Sequence, residues 1–274
     1  MCFCGQRRYH RRSMHQHDLG IEQLRAACAG WVVGREIAFH QRLGSTMDDA
    51  RRLAEAGAAE GLVVIAEEQT KGRGRFARKW ESPVGENLLF SVLLRPQAGQ
   101  MRYMNMAATL AVRDTVADVT GARPAIKWPN DVRVDGRKVA GILIESAVAS
   151  DGRVDYAVVG IGLNVNFDPS PFPEIAETAT SIARVLGKRV ERTAVLARLL
   201  ARLDGLYGEV RAGRSLTAAW AARLETLGRK VRVRSHDEVL EGLALRVDEE
   251  GNLVLRRPDG SLTTVVAGEV TMQA

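Results

Sequence analysis

The hydrophobic pattern of this chain changes character once, near Gly228, and the change limits what each part can become. Before it, strand-like runs alternate with stretches of helical period; after it, only short strands and turns follow. Gly61–Glu68 carries Leu62, Val63, Val64 and Ile65 in succession and reads as a buried strand, with Asn87–Leu94 as a second. Ser45 to Asp49 has the form of a helix start, with Thr46 and Asp49 as a capping box and Gly57 suited to the C′ position. Ile21–Cys28 reads as one short helix, and Trp31–Val33 as the start of the sheet. Met101–Val119 has helical spacing, and Asp135-Gly136 between Val132/Val134 and Val139 is a hairpin turn signal. Val139–Val148 and Val154–Val165 read as strands; the Pro-rich stretch 168–173 reads as a loop before helices near 179–186, 192–211 and 215–226. Downstream, Val231–Arg234, Val239–Val247, Leu253–Arg257 and Leu262–Val266 give four or five strands in about 46 residues, the pattern of a small SH3-like barrel. The expected organisation is a disordered leader over 1–30, a large domain over 31–227 and a β domain over 228–274.

Charge excludes some functions only once it is located. The net charge is +6, but Arg7, Arg8, Arg11 and Arg12 precede the first acidic residue, Asp18. Without them 35 basic and 33 acidic residues remain, so the excess belongs mostly to the leader rather than to a nucleic-acid-binding face. No apolar run approaches the roughly 18–20 residues that span a bilayer, and no apolar segment follows the leader's charges as a secretory signal would. Met14 is an alternative start to Met1. The three cysteines, Cys2, Cys4 and Cys28, all lie early, which argues against a disulfide framework and for a reducing, cytoplasmic setting. Cys2 and Cys4 with His10, His15 and His17 fit no usual zinc spacing.

The chemistry concentrates in three stretches. Between Lys71 and Lys79 stand five cations, with Gly72 and Gly74 among them. Such a loop suits anions, because glycine lets backbone N–H groups approach closely and arginine forks grip carboxylate or phosphate. Gly72 to Ala77 formally fits the dinucleotide fingerprint GxGxxA, but the residues after it are poor helix formers. Arginine/glycine-rich nucleic-acid binding is a second reading, with only Phe76 and Trp80 to stack. Lys127-Trp128-Pro129-Asn130-Asp131 puts polar groups at a strand end, and Lys138 follows on a strand beside apolar neighbours. Gly160 and Gly162, before Asn164, suggest close backbone approach within a strand.

Taken in order, GRGRxxRxW, KWPND, GRKVAGILIE and GIGLNVN resemble the biotin protein ligase family, and the resemblance runs from about Ile37 to about Met272. It implies an α+β fold: a mixed sheet of the class II aminoacyl-tRNA-synthetase kind flanked by helices, with the small SH3-like barrel at its end. It also implies activation of biotin by ATP to biotinyl-5′-AMP, with Mg²⁺, and transfer to a lysine of a biotin carboxyl carrier protein. By the same resemblance, Arg73, Arg75 and Lys138 are catalytic. Ser45, Thr46, Met47, Gln69, Gly72, Gly74, Trp80 and Gly141 join those three around biotin. Arg75, Arg78, Lys127, Asn130, Asp131 and Asn164 meet ATP, and Asp131 is the candidate metal contact. Met47 stands where relatives often carry Asn, so only a backbone contact is carried over there; Phe76-Ala77 stands where some have Arg-Gly. The loop is expected to order over the adenylate. The stretch before Ile37 is too short for the winged-helix domain of the family's repressors, so no DNA binding is expected; a homodimer stays open. Lipoate or octanoate ligases and transferases are the nearest alternative, and a basic nucleic-acid-binding protein the alternative of another class.

Overall fold

The computed structural model describes residues 19–78, 80, 82–235 and 238–273. The larger part is built on a mixed seven-stranded sheet in the order β1-β2-β3-β7-β6-β5-β4. Its strands are β1 (Glu36–Leu43), β2 (Leu62–Gln69), β3 (Leu88–Leu94), β4 (Ala125–Lys127), β5 (Asp131–Val134), β6 (Arg137–Val148) and β7 (Val154–Leu163). Only β1 and β2 run parallel; the other neighbours are antiparallel. Helices α1 (Ile21–Ala27), α2 (Thr46–Glu55), α3 (Arg102–Thr120), α4 (Ile182–Leu186), α5 (Arg192–Arg211) and α6 (Thr217–Ala221) complete it.

The two faces of β2 explain the layering. Val63 and Ile65 belong to the large core with α3 and α5, whereas Leu62 and Val64 pack with Met47, Ala50 and Ala54 of α2. Alternate side chains thus serve opposite layers, and a strand apolar on both faces is the result. On the α5 side Glu67 and Arg192 form a buried bidentate pair, 2.8 Å on each arm. Arg192 also donates to Asn87 O, so the end of β2 and the start of β3 are tied to the start of α5.

Several expectations change. The leader is folded from residue 19: α1 buries Leu24, and Leu19 and Cys28 flank it in the main core, while residues 1–18 lie outside the described residues. Trp31–Val33 does not begin the sheet, because the Asp204 carboxylate of α5 accepts from the Val32 and Val33 amides at 2.9 Å. The first strand is β1, five residues later than Trp31. The helix expected near 179–186 begins at Ile182, since residues 178 and 180 bond to the Lys138 backbone and Ser181 caps the helix. The helix expected over 215–226 stops at Ala221, because Arg223 O and the Glu225 amide bond to Ile126.

The Ser45–Asp49 capping box does not form. Ser45 is the N-cap but its side chain makes no capping bond, and Thr46 turns its hydroxyl inward. At the hairpin turn Asp135 and Gly136 both have positive φ (48° and 76°), as a two-residue type I′ turn requires.

From Lys230 a separate five-stranded antiparallel sheet follows: β8 (Lys230–Ser235), β9 (Glu238–Val247), β10 (Leu253–Arg256), β11 (Leu262–Val265) and β12 (Glu269–Met272). The last of these, absent from the expected strands, pairs with β8. Trp128 joins the two parts: its amide donates to Thr226 Oγ1 and its indole N–H to Gly251 O, both at 2.9 Å.

Candidate active site

One cleft of about 680 Å³ opens over the β6–β7 side of the sheet and reaches residues 268–270 of the small domain. That volume lies in the range of small-ligand sites. Its floor depends on two glycines. Gly141 of β6 and Gly162 of β7 face each other in register, and the Trp80 indole rests against both. A Cβ at Gly162 would stand 2.6 Å from Trp80 Cε2, and one at Gly141 would stand 3.0 Å from Trp80 Cζ3. No larger residue fits either position without moving the ring. Trp80 is anchored by its amide, which donates to Gly72 O at 3.1 Å. The indole N–H is buried and has no partner among the described residues.

One end of the cleft is polar and uncharged. The start of α2 brings buried Ser45 and Thr46 beside Gln69 at the end of β2. Gln69 Oε1 accepts from the Thr46 amide (2.7 Å) and hydroxyl (3.1 Å), which leaves the donor end of its carboxamide without a partner among the described residues. Thr46 Oγ1 also meets Ser91 Oγ at 2.8 Å. Ser91 was missed in the sequence; its signal was being the single polar side chain in the wholly buried strand Leu88–Leu94. Met47 is buried, and its Sδ would lie 2.6 Å from a Cβ at Gly160, so that glycine is also a close-packing site.

The middle of the cleft is cationic. Lys138 on β6 lies 5.4 Å from the Trp80 ring centre and pairs with Asp131 at 2.7 Å. Burial pushes the Lys127 ammonium below the usual lysine range, with Asp131 opposing the shift. Arg75 is also held down by burial, though a guanidinium stays charged at any ordinary pH. It donates to Asn130 Oδ1 (3.1 Å) and to Gly268 O (3.2 Å). Asn130 in turn donates to Ile142 O at 2.6 Å, which fixes the strand end against β6. Asn164 is buried and bonds to Thr180 O, pinning the chain beyond β7 beside the cleft.

The Gly/Arg loop is folded across this region. Residues Arg75–Ala77 make one 3-10 turn with Phe76 at φ 56°, closed by a Gly74-to-Arg78 backbone bond, and no α-helix follows as a dinucleotide fingerprint requires. Arg78 is largely exposed and reaches Glu269 at 2.7 Å. Arg73 lines the cleft, and its amino groups are engaged by Asp48, Glu145 and Ser45. Gly72 does not line the cleft; it is buried behind Gln69 and Trp80. The other expected site residues line it. Among the described residues no group of three His, Cys, Asp or Glu could hold a metal by itself, and no helix is long and apolar enough to cross a membrane.

Known proteins share both parts. The Biotin/lipoate A/B protein ligase family matches residues 40–164, and the Biotin protein ligase C terminal domain matches 226–272. The chain is 32% identical over 247 residues to the bifunctional ligase/repressor BirA of Bacillus subtilis, covering 88% of this chain and 76% of that protein. It is 35% identical over 258 residues to the biotin–[acetyl-CoA-carboxylase] ligase of Mycobacterium tuberculosis, covering 91% and 92%. The solved biotin protein ligase from Aquifex aeolicus in complex with biotin and ATP superposes with a TM-score of 0.73 at 27% identity, covering 87% of this chain and 99% of that one.

Proposed function

The chain belongs to the biotin protein ligase family, and from that premise we propose how its own residues divide the work of a biotin protein ligase. In the first half-reaction a biotin carboxylate oxygen bonds to the α-phosphorus of ATP, and pyrophosphate leaves. In the second, a lysine amine of a carrier protein bonds to the acyl carbon, AMP leaves, and the amine loses a proton. The carrier is a carboxylase subunit, in keeping with the name of the Mycobacterium tuberculosis relative.

The observation that carries this reading is the arrangement of one cleft: a neutral hydrogen-bonding end, an aromatic lid on a glycine floor, and a cationic middle. A ureido head presents both a carbonyl acceptor and N–H donors. Ser45, Thr46 and the open donor end of Gln69 supply neutral partners for it without the cost of a buried unpaired charge. Trp80 packs over the apolar bicycle. Lys138 and Arg75 then stand where a carboxylate must approach a polyanion, and they offset the charge that accumulates there.

Lys127, Asn130, Asp131, Asn164 and Arg78 form the nucleotide side. Asp131 is the carboxylate at this end that would hold Mg²⁺ beside the nucleotide. When bound, the ion would supply charge screening for the triphosphate. The enzyme works in the cytoplasm, and DNA plays no part in the reaction.

The test is biotin-dependent exchange of pyrophosphate into ATP, with lipoate and octanoate as competing acids. Exchange with biotin alone is the expected result. Exchange driven by lipoate or octanoate would transfer the assignment to the sister activities of the same family. Steeply salt-dependent binding to DNA or RNA without any exchange would favour the nucleic-acid reading.

A further inference from the structure

Four charges beside the neutral end of the cleft form a closed ring in which each pairs with two others. Arg73 of the loop donates to Asp48 through both amino groups, at 3.0 and 2.9 Å, and to Glu145 at 2.9 Å. Arg51 closes the ring from the other side, 2.8 Å from Asp48 and 3.6 Å from Glu145. Asp48 and Arg51 lie one turn apart on α2, Glu145 lies on β6, and Arg73 lies between them on the Gly/Arg loop. The charges alternate in sign around the ring and cancel, so the ring contributes little net attraction for an anion. Its effect is mechanical: it joins a helix, a strand and a loop. Arg73 also donates to Ser45 Oγ at 3.3 Å, which ties the ring to the neutral end. Moving Arg73 onto a ligand would leave two carboxylates facing Arg51 alone.

We propose that Asp48 and Glu145 are positioning residues, which hold Arg73 and through it keep the Gly/Arg loop shut over the acyl-adenylate between the two half-reactions. The proposal rests on the ligase reading above. The adenylate needs such protection: when water's oxygen bonds to the acyl carbon, the bond from that carbon to the phosphate oxygen breaks. Free biotin and AMP are then lost with the released protons, and an ATP is consumed without a product. The direction of two titrations agrees with the geometry. Hydrogen bonding to Arg73 holds the Asp48 carboxyl below the usual range, and the same bond raises the Arg73 guanidinium.

The experiment uses the full chain with biotin and ATP and no carrier protein. It reads pyrophosphate exchange, which reports adenylate formation, and steady AMP release after the first turnover, which reports adenylate lost to water. Asp48→Asn, Glu145→Gln and the double variant should keep exchange within about twofold and raise AMP release about five- to tenfold. Arg51→Gln, which does not touch Arg73, should raise it less. Added salt should raise AMP release in the parent protein and change the double variant little, because these half-exposed pairs are screened.

AMP release at the parent rate with exchange intact would overturn the proposal. A parallel fall of exchange and release in a variant that melts normally would also overturn it, by placing the acids in adenylate formation. If the double variant does not fold, the single variants decide by the same two readouts. A parent protein without biotin-dependent exchange would instead fail the ligase reading itself.

Discussion

Single side chains in this cleft differ in how replaceable they are. Lys138 is held between an aromatic ring and Asp131, so its ammonium is already placed before an anion arrives. On the proposed reading, removing it takes a preplaced cation from the point where carboxylate and phosphate meet. Lys138→Ala should therefore lower biotin-dependent pyrophosphate exchange by about 10²–10³-fold, the usual effect of losing one preorganised charge donor. Alanines at Arg7 and Arg8 of the leader should leave exchange unchanged, and similar losses from both sets would refute the site assignment. Cys28 is a contrasting case, a residue buried to no catalytic end. Burial first, and then the nearby Asp204 carboxylate, push its thiol up to about 11. At pH 8 roughly a thousandth of it is thiolate, and that fraction is buried at the C-terminal end of α1. In a variant with Cys2 and Cys4 replaced by serine, iodoacetamide should label the native protein negligibly at pH 8 and fully in denaturant. Rapid native labelling would show that α1 opens.

At the level of elements, the clearest dependence is that of the aromatic lid on paired strands. Gly141 and Gly162 are directly opposed on β6 and β7, so one substitution displaces a ring that both strands support. Gly162→Ala should cost roughly 1–3 kcal/mol where Trp80 must shift, about five- to 150-fold if it falls on biotin affinity. Calorimetric titration with biotin checks this; unchanged affinity would mean that Trp80 does not shape the ligand site. The glycines themselves were legible in the sequence, as were β2, β3, β5, β6 and β7 but not β1 or the three-residue β4, because buried runs and Asp-Gly turns are local signals. Element ends were less legible, because tertiary bonds set them. Asp204 diverts residues 32–33, Lys138 bridges Ala179, and Ile126 takes the chain around Leu224. The site was legible through the order of its motifs. The acids Asp48 and Glu145 were not, since an acidic residue on a helix or strand is usually solvated, and only the fold brings them to Arg73.

Across the whole molecule, the small domain bears on the cleft through the same loop that covers it. Gly268 O accepts from Arg75, Glu269 pairs with Arg78, and the turn at Gly251 accepts the Trp128 indole N–H. The Gly/Arg loop is thus tied to α2 and β6 at Arg73 and to the β12 end of the small domain at Arg75 and Arg78. Because these ties are mostly half-exposed hydrogen bonds and ion pairs, each contributes only modestly, and the loop can open when ligand contacts are absent. Trypsin accessibility measures that opening. Biotin with ATP should slow cleavage within residues 71–79, since ligand contacts add to the existing ties and only the closed state is protected. Glu269→Gln should speed cleavage about two- to fivefold in the absence of ligand, as expected for one surface pair, and less in its presence. Equal cleavage with and without ligand would refute a closing loop. Ligand protection with no effect of Glu269→Gln would restrict control of closure to the α2–β6 side, leaving Arg78 a surface charge.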